Sequence, residues 1–277
     1  MRSIQPKLPA IVIKIAHDIK QAGGKAIVVG GSIRDYFLNL ASKDWDIEVY
    51  GLASIEELKD ILARYGKVNF VGKSFGVLKF NYDNDEYDFS FPRKEKKVGS
   101  GHQGFEVSVD GMLSYDEASS RRDFTINSMG YDIIQGKLLD PHNGYEDLQD
   151  GTIRHINATA FKEDPLRVYR AIQFAGRFGY RLHEDTIALC QEMVKSGELE
   201  SISSERIFIE FNKLLLKSPK PSIGFEVMRQ LGVLKYFPQL QVLIGIPQEP
   251  KYHPEGDVWI HTIMSLDAMV GLINRSE

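Results

Sequence analysis

Ala26-Ile27-Val28-Val29-Gly30-Gly31-Ser32-Ile33-Arg34-Asp35, followed by Asp44-Trp45-Asp46-Ile47-Glu48-Val49-Tyr50, decides how the chain is read. The short apolar run ending in Gly30-Gly31 predicts a buried strand feeding a tight turn, and Ser32 to Leu40 predicts a helix. A strand, a glycine turn and a helix make a phosphate cradle. The glycines let backbone approach a ligand, and the helix start offers free N–H groups. Arg34 in the first turn adds a cation. No Gly-Lys-Ser/Thr follows, so this is not a Walker loop, and the glycine spacing is not that of a dinucleotide fingerprint. Taken alone, such a turn is more often structural punctuation.

Asp44 and Asp46 sit two apart in or entering a strand, so they share one face while Trp45 takes the other. Adjacent carboxylates repel unless something positive lies between them, and a divalent cation is the usual answer. Two such ions can activate an attacking hydroxyl and stabilise a leaving pyrophosphate. By itself the pair also reads as two acids at a solvated strand end. Asp88 lies in the Tyr87–Phe91 strand between aromatic residues, where a charge needs compensation, and it is the natural third carboxylate. Asp83 and Asp85 read as turn residues.

Outward from this centre, Leu8 to Ala22 and Ile55 to Tyr65 have helical spacing. Val68 to Val71, Val77 to Phe80 and Tyr87 to Phe91 read as strands. Arg93 to Gly111, beginning Arg-Lys-Glu-Lys-Lys and rich in Gly, predicts a mobile surface loop of the kind that carries function. Beyond Gly144 the strand signals fade, and from Ala158 onward the periodicity is helical. The expectation is an α/β head with a mixed sheet, followed by an all-α remainder, with no internal repeat.

Composition excludes several classes. The chain has 277 residues, 43% hydrophobic and 26% charged, which is ordinary globular composition rather than disordered or low-complexity. The single Cys190 excludes an intramolecular disulfide framework and a Cys-rich zinc site, and fits a reducing cytoplasm. No apolar run approaches the ~18–20 residues needed to span a bilayer, and Pro6 and Pro9 interrupt any leader-like start. The net charge of −4 argues, as a sum, against a nucleic-acid partner. Position argues otherwise. Acid gathers around Asp44, Asp46 and Asp83 to Asp88. Base gathers from Arg154 to Arg181, and again at Arg93, Lys94, Lys96 and Lys97. These bases are candidate phosphate contacts, and binding through them would weaken steeply with salt.

GGSIRD, KDWDIEV and YDFSFPRKE, in that order, resemble the catalytic head of the class II tRNA nucleotidyltransferases and bacterial poly(A) polymerases, a branch of the polymerase beta-like nucleotidyltransferases. Further stretches match. Arg121 to Asn127 resembles the RRDFTIN motif. Leu139 to Gly144, with Asp147-Leu148, resembles the flexible head-to-neck linker. Glu163-Asp164-Pro165-Leu166-Arg167, with Arg170 and Phe174 to Tyr180, resembles the EDxxR motif and its helix. Ser204 to Ile207, with Glu210-Phe211, resembles the ERI segment. The likeness runs over roughly residues 25 to 275.

The resemblance implies that Asp44 and Asp46 hold two Mg2+ ions, with Asp88 as third acid, while the 3′-hydroxyl of a tRNA attacks the α-phosphate of CTP or ATP. It implies that Gly30, Gly31, Ser32 and Arg34 grip the triphosphate, and that Arg122, Asp123 and Asn127 shape the ribose pocket. Asp164 and Arg167 would read the base, and their chemistry suits it: one offers only acceptors, the other planar donors. Three apart on a helix, they would share a face; an exposed i,i+3 salt bridge is the plainer reading of the pair. Arg170 and Arg177 would meet phosphate or RNA. Glu205 and Arg206 are expected as a helix cap and a buried ion pair holding the neck. The loop Lys94 to Met112 is where a switch from C to A would lie. The implied layout is a head at 1–143, a helical neck at 144–215 and a helical body at 216–277.

His253-Pro254-Glu255-Gly256-Asp257-Val258-Trp259-Ile260-His261-Thr262 resembles the opening of the HD-type phosphohydrolase region of some members. Such a centre needs an adjacent His-Asp pair, and none follows His261. The expectation is a truncated or vestigial segment, with His253 and His261 packing or capping. CCA addition to tRNA is the leading reading. The rivals are a poly(A) polymerase, an A-only or CC-only enzyme and, from another class, a non-catalytic RNA-binding module, against which the intact acids argue.

Overall fold

The computed structural model describes residues 5–40, 45–71, 76–97, 105–109 and 111–273, the 93–97 and 105–109 segments as backbone. Asp44 lies outside the described residues, as does much of the expected 93–111 loop. The chain divides into two units, Met1–Leu148 and Gln149–Glu277.

The first unit opens with α1 (Ala10–Gln21), β1 (Lys25–Val29), α2 (Gly31–Phe37), β2 (Asp46–Tyr50) and α3 (Ile55–Ala63). Next come β3 (Lys67–Val71), β4 (Val77–Tyr82) and β5 (Asp85–Ser90). β6 (Arg93–Lys97) and β7 (Phe105–Val109) form a separate two-stranded ribbon. α4 (Tyr115–Ser119), a 3-10 turn at Thr125–Asn127, β8 (Gly130–Asp132), β9 (Lys137–Leu139) and α5 (Gly144–Gln149) follow. The main sheet has seven strands in the order β3-β4-β5-β2-β1-β8-β9. β2 and β5 run parallel and every other neighbouring pair runs antiparallel.

Register sorts the side chains. Residues directly opposite share a face. Ala26, Val28, Ile47, Val49 and Phe89 thus form one face, and all are buried. α1 packs against β1 and α3, and α3 against β3. The α1 residues that recur at helical spacing, Ile11, Val12, Ile15, Ala16 and Ile19, are the ones buried. α3 begins where Ser54 accepts a hydrogen bond from the Glu57 N–H at 3.2 Å. The opposite face carries Asp46, Glu48, Asp88 and Ser90, bordered by an apolar cluster of Ile27, Val29 and Tyr50 against Tyr115, Ala118 and Leu139.

Two expectations need correction. The Arg93–Gly111 stretch is not simply a loop, since β6 pairs antiparallel with β7 through Arg93↔Val109 to Lys97↔Phe105. Ladder bonds use backbone, so a charged stretch can pair without an apolar pattern. The Leu139–Gly144 segment is not a free linker either. Asp140 accepts from the backbone N–H groups of Gly144 at 2.7 Å and Tyr145 at 2.9 Å, and Thr125 donates to buried Asp147 at 2.7 Å.

The second unit is helical apart from a short parallel pair, β10 (Thr152–Ile153) with β11 (Arg181–Leu182). Its helices are α6 (Ala158–Lys162), α7 (Leu166–Phe178), α8 (Glu184–Ser196), α9 (Ser204–Lys217), α10 (Pro221–Leu231), α11 (Pro238–Gln241) and α12 (Val258–Ile273). α7, nearly all apolar on its inner face, packs on α9 and α10. A β-carbon on Gly176 of α7 would overlap the side chain of buried Leu214 of α9, so a larger residue there must push that side chain aside. Among the described residues no helix is long and apolar enough to cross a membrane.

Candidate active site

Asp46 stands at the start of β2, directly opposite Asp88 across the parallel β2–β5 pair. It also faces Val29, the last residue before the Gly30-Gly31 turn. Gly30 has φ +75°. A β-carbon there would stand 3.2 Å from Arg122 Nη1 and 3.8 Å from Asp46 Oδ2, so this glycine serves both an unusual backbone angle and a crowded site. Ser32 donates its hydroxyl to the Val29 carbonyl at 3.1 Å and is buried, which locks the turn. One oxygen of Asp88 is fully buried. Two carboxylates facing each other across a strand pair form an oxygen-only donor set, which fits a hard divalent cation.

The other residues expected around the nucleotide form the wall behind this point. Arg34 is buried rather than open to a ligand. Its Nη1 donates to Asn127 Oδ1 at 2.6 Å, and its Nε and Nη2 donate to Asp35 at 2.8 and 2.6 Å. Asn127 in turn donates to Asp123 Oδ1 at 3.0 Å, which also accepts the Phe124 N–H at 2.8 Å. Asp123 and Asn127 are both buried, so their side chains tie the 123–127 turn to α2. Arg122 reaches further forward. Its Nη2 donates to Glu48 Oε1 at 2.7 Å, and the second oxygen of Glu48 accepts the Tyr50 hydroxyl at 2.6 Å. Burial works against the Arg122 charge, but Glu48 and the neighbouring tyrosines hold its pKa above the ordinary value. Burial, then the Glu48 charge, pushes the Tyr50 hydroxyl well above the usual tyrosine range.

Sequence reasoning passed over Glu48 and Tyr50. The signal was present: both continue the two-residue period of Asp46 on the same face.

In the second unit, Asp164 lies before α7, not in it, and Pro165 is the helix cap. The shared helical face expected for Asp164 and Arg167 is therefore not what the structure has. Arg167 donates to the Ala160 carbonyl at 2.8 Å. The cation beside Asp164 is Arg206, whose Nη2 lies 3.1 Å from each carboxylate oxygen. The Leu166 N–H donates to Asp164 Oδ1 at 3.2 Å. The ion pair expected of Arg206 thus exists, but it holds the EDxxR aspartate and is partly exposed. Arg170 Nη1 lies 4.0 Å from buried Glu210, with the guanidinium over the Phe174 ring at 5.2 Å, and Arg177 covers Phe178 at 5.0 Å.

A mixed sheet with opposed acids beside a glycine turn, followed by a helical region, is the polymerase beta-like fold that the chain shares with CCA-adding enzymes of known structure. Residues 26–154 match the family model of the poly A polymerase head domain, and residues 179–243 match the probable RNA and SrmB-binding site of polymerase A. The chain belongs to this family of poly(A) polymerases and CCA-adding nucleotidyltransferases. The Multifunctional CCA protein of Psychromonas ingrahamii is 41% identical over 249 residues, 88% of this chain and 58% of that protein. The chain is also similar to the Thermotoga maritima CCA-adding enzyme complexed with tRNA, with a TM-score of 0.69 at 26% identity over 90% of this chain and 55% of that one. The Bacillus stearothermophilus CCA-adding enzyme in complex with CTP gives a TM-score of 0.65 at 28% identity, over 78% and 50%. The chain spans just under three fifths of the length of the curated relatives it matches. The family relationship implies divalent metal use.

Proposed function

We propose that this chain carries the catalytic and base-reading parts of a template-independent tRNA nucleotidyltransferase that adds C and A to the 3′ end from CTP and ATP. The observation that carries this is Asp46 opposite Asp88 beside the Gly30 turn. Asp46 and Asp88, with Asp44 two residues earlier in sequence, hold Mg2+, two ions in the full assembly. Held there, the ions would supply a lower pKa for the attacking hydroxyl and a counter-charge for the leaving pyrophosphate.

The chain's own groups do the rest. The 3′-hydroxyl oxygen bonds to the α-phosphorus, the bond from that phosphorus to the bridging oxygen of pyrophosphate breaks, and the hydroxyl proton passes to solvent or a carboxylate. The Gly30-Gly31 backbone lies against the triphosphate, and Arg122, aimed by Glu48, sets a fixed positive charge beside it. Arg34, Asp123 and Asn127 keep the turn rigid, so their contribution is mainly positional. Asp164 accepts from the exocyclic amine of C or A, with its carboxylate held by Arg206, and Arg167 supplies the donors. Arg170 and Arg177 face RNA phosphate. The partners are tRNA, CTP and ATP in the cytoplasm, without a membrane.

The test is incorporation of labelled nucleotide into a tRNA lacking its terminal CCA, supplying CTP alone, ATP alone, then both, and reading the new 3′ end. CCA addition predicts CC with CTP alone and CCA with both. A run of A identifies a poly(A) polymerase, a single A or only CC a partial enzyme, and binding without incorporation a non-catalytic RNA-binding module.

A further inference from the structure

The open face of the main sheet continues beyond the carboxylates. Asp46 stands opposite Asp88, Asp88 opposite Lys79, and Lys79 opposite Asn69, so these four form one row across β2, β5, β4 and β3. Two residues along the same strands, and on the same face, Asn81 stands opposite Lys67. Lys67 and Asn69 are exposed, and Lys79 and Asn81 are half-buried. The other face of β4 is apolar, with Leu78 and Phe80 buried. Charge divides along the row. On this face β3 and β4 carry Lys67, Asn69, Val71, Val77, Lys79 and Asn81, two cations and no acid. The acids Asp46, Glu48, Glu86 and Asp88 all stand on β2 and β5.

Lys79 stands at this boundary. Its ammonium contacts the Glu86 carboxylate on β5. That contact, and behind it the Asp88 charge, holds the Lys79 pKa above its ordinary value although desolvation works the other way. An ammonium has three donors, so Lys79 can keep Glu86 and still meet a second anion. The amides of Asn69 and Asn81 add donors without charge on either side of it.

The direction of the reaction says which anion this is. In the reading above, the triphosphate lies against the Gly30-Gly31 turn at the end of β1 and beside Arg122, which is held by Glu48 of β2. In phosphoryl transfer the attacking and leaving oxygens lie roughly in line. With pyrophosphate leaving on the β1 side, the hydroxyl arrives from the side of β5 and β4. Neighbouring strands lie roughly 4.8 Å apart, so the backbone behind that hydroxyl crosses β4 and then β3. We propose that Lys79, with Asn69, Asn81 and Lys67, binds the RNA phosphates immediately behind the attacking 3′-hydroxyl, an inference that rests on the nucleotidyltransferase reading. The acids of β2 and β5 repel such a backbone, and the lysines of β3 and β4 attract it, so the charge boundary sets where the strand lies. Lys79 is thus a positioning residue, which places the hydroxyl through the phosphate next to it.

The test is a cycle between protein and RNA. A tRNA lacking its terminal CCA is prepared with its last internucleotide phosphate either native or replaced by an uncharged methylphosphonate. Equilibrium binding of both to the wild type and to Lys79→Gln is then measured across a salt series. Neutralising the phosphate should weaken binding by the wild type about fivefold, the size of one exposed ion contact, and lower its salt slope by roughly 0.7. The same change should leave Lys79→Gln nearly unaffected, because its contact is already gone. Lys79→Arg keeps the charge and should follow the wild type. Glu86→Gln breaks the Lys79–Glu86 pair but keeps the cation, so RNA should bind it at least as tightly as the wild type. A merely structural ion pair would instead make Lys79→Gln and Glu86→Gln behave alike. In steady-state incorporation, Lys79→Gln should raise KM for tRNA about fivefold while KM for CTP stays within about twofold. A phosphate effect that is absent from the wild type, or equal in the wild type and Lys79→Gln, would overturn the proposal. Binding is read directly, so that outcome is distinct from failure of the nucleotidyltransferase reading, which would show as a wild type that binds tRNA and adds no nucleotide.

Discussion

Replacing Arg206 by Met removes the cation 3.1 Å from both oxygens of Asp164. The two side chains are 27% and 29% exposed, so solvent screens the pair and it contributes on the order of 1 kcal/mol. If that energy serves to hold Asp164 toward a base, its loss is about fivefold in nucleotide binding. Arg206→Met should therefore raise KM for both CTP and ATP by about fivefold while kcat stays within about twofold. Arg206→Lys should recover only part, because an ammonium replaces a planar guanidinium. Asp164→Ala removes the acceptor itself and should cost more, roughly 1–3 kcal/mol in base discrimination. The double variant should be no worse than Asp164→Ala alone, because once the carboxylate is gone Arg206 has nothing to position. The assay is steady-state incorporation of single nucleotides by the wild type and the four variants, with circular dichroism to show intact folds. Fully additive losses would mean that Arg206 and Asp164 act independently and would rule out the positioning role of Arg206.

Other expectations follow from the packing. Glu48→Ala leaves the Arg122 guanidinium without its 2.7 Å partner and should lower stability by roughly 1–3 kcal/mol in chemical denaturation, with Glu48→Gln milder. Gly176→Ala forces a β-carbon into Leu214 and should cost about 1–3 kcal/mol, read as a lower melting temperature. Burial pushes the Cys190 thiol up to about 12, so a thiol reagent at pH 8 should label the unfolded chain and leave the native one unlabelled. Burial lowers the His155 pKa below its ordinary value of 6.5. The unfolded chain then binds the extra proton, so stability should be level above about pH 6.5 and fall as pH drops below it. His155→Gln should flatten that slope in denaturation curves between pH 7 and 5.

Much of the first unit was legible because its strands obey period two and its helices period 3.6. α1, β2 and α3 are local patterns, and the pairing of β2 with β5 then sets Asp46 opposite Asp88. What was not legible has identifiable causes. β8 and β9 are three residues each, too short for alternation to register. β6 reads Arg-Lys-Glu-Lys-Lys, and charge conceals a strand whose pairing is entirely backbone. Asp164 and Arg167 invited a local i,i+3 reading, whereas the partner of Asp164 comes from 42 residues away. Arg34 looked like a phosphate ligand by its place in the first helical turn, yet Asn127, 93 residues on, takes its Nη1. Local spacing reports which side chains share a face. It carries no information on which distant group will satisfy a buried charge.

Asp46 and Asp88 are proposed to hold the metal ions of a nucleotidyl transfer. The direct measurement is the rate of CTP and ATP incorporation into tRNA lacking CCA, with and without Mg2+, for the wild type and for Asp46→Asn. The amide keeps the size of the carboxylate and removes its charge. The predicted result is Mg2+-dependent addition by the wild type and a loss of at least about a hundredfold in the variant, while tRNA binding persists. A variant that adds nucleotide at the wild-type rate, or a wild type whose rate ignores Mg2+, would contradict the claim.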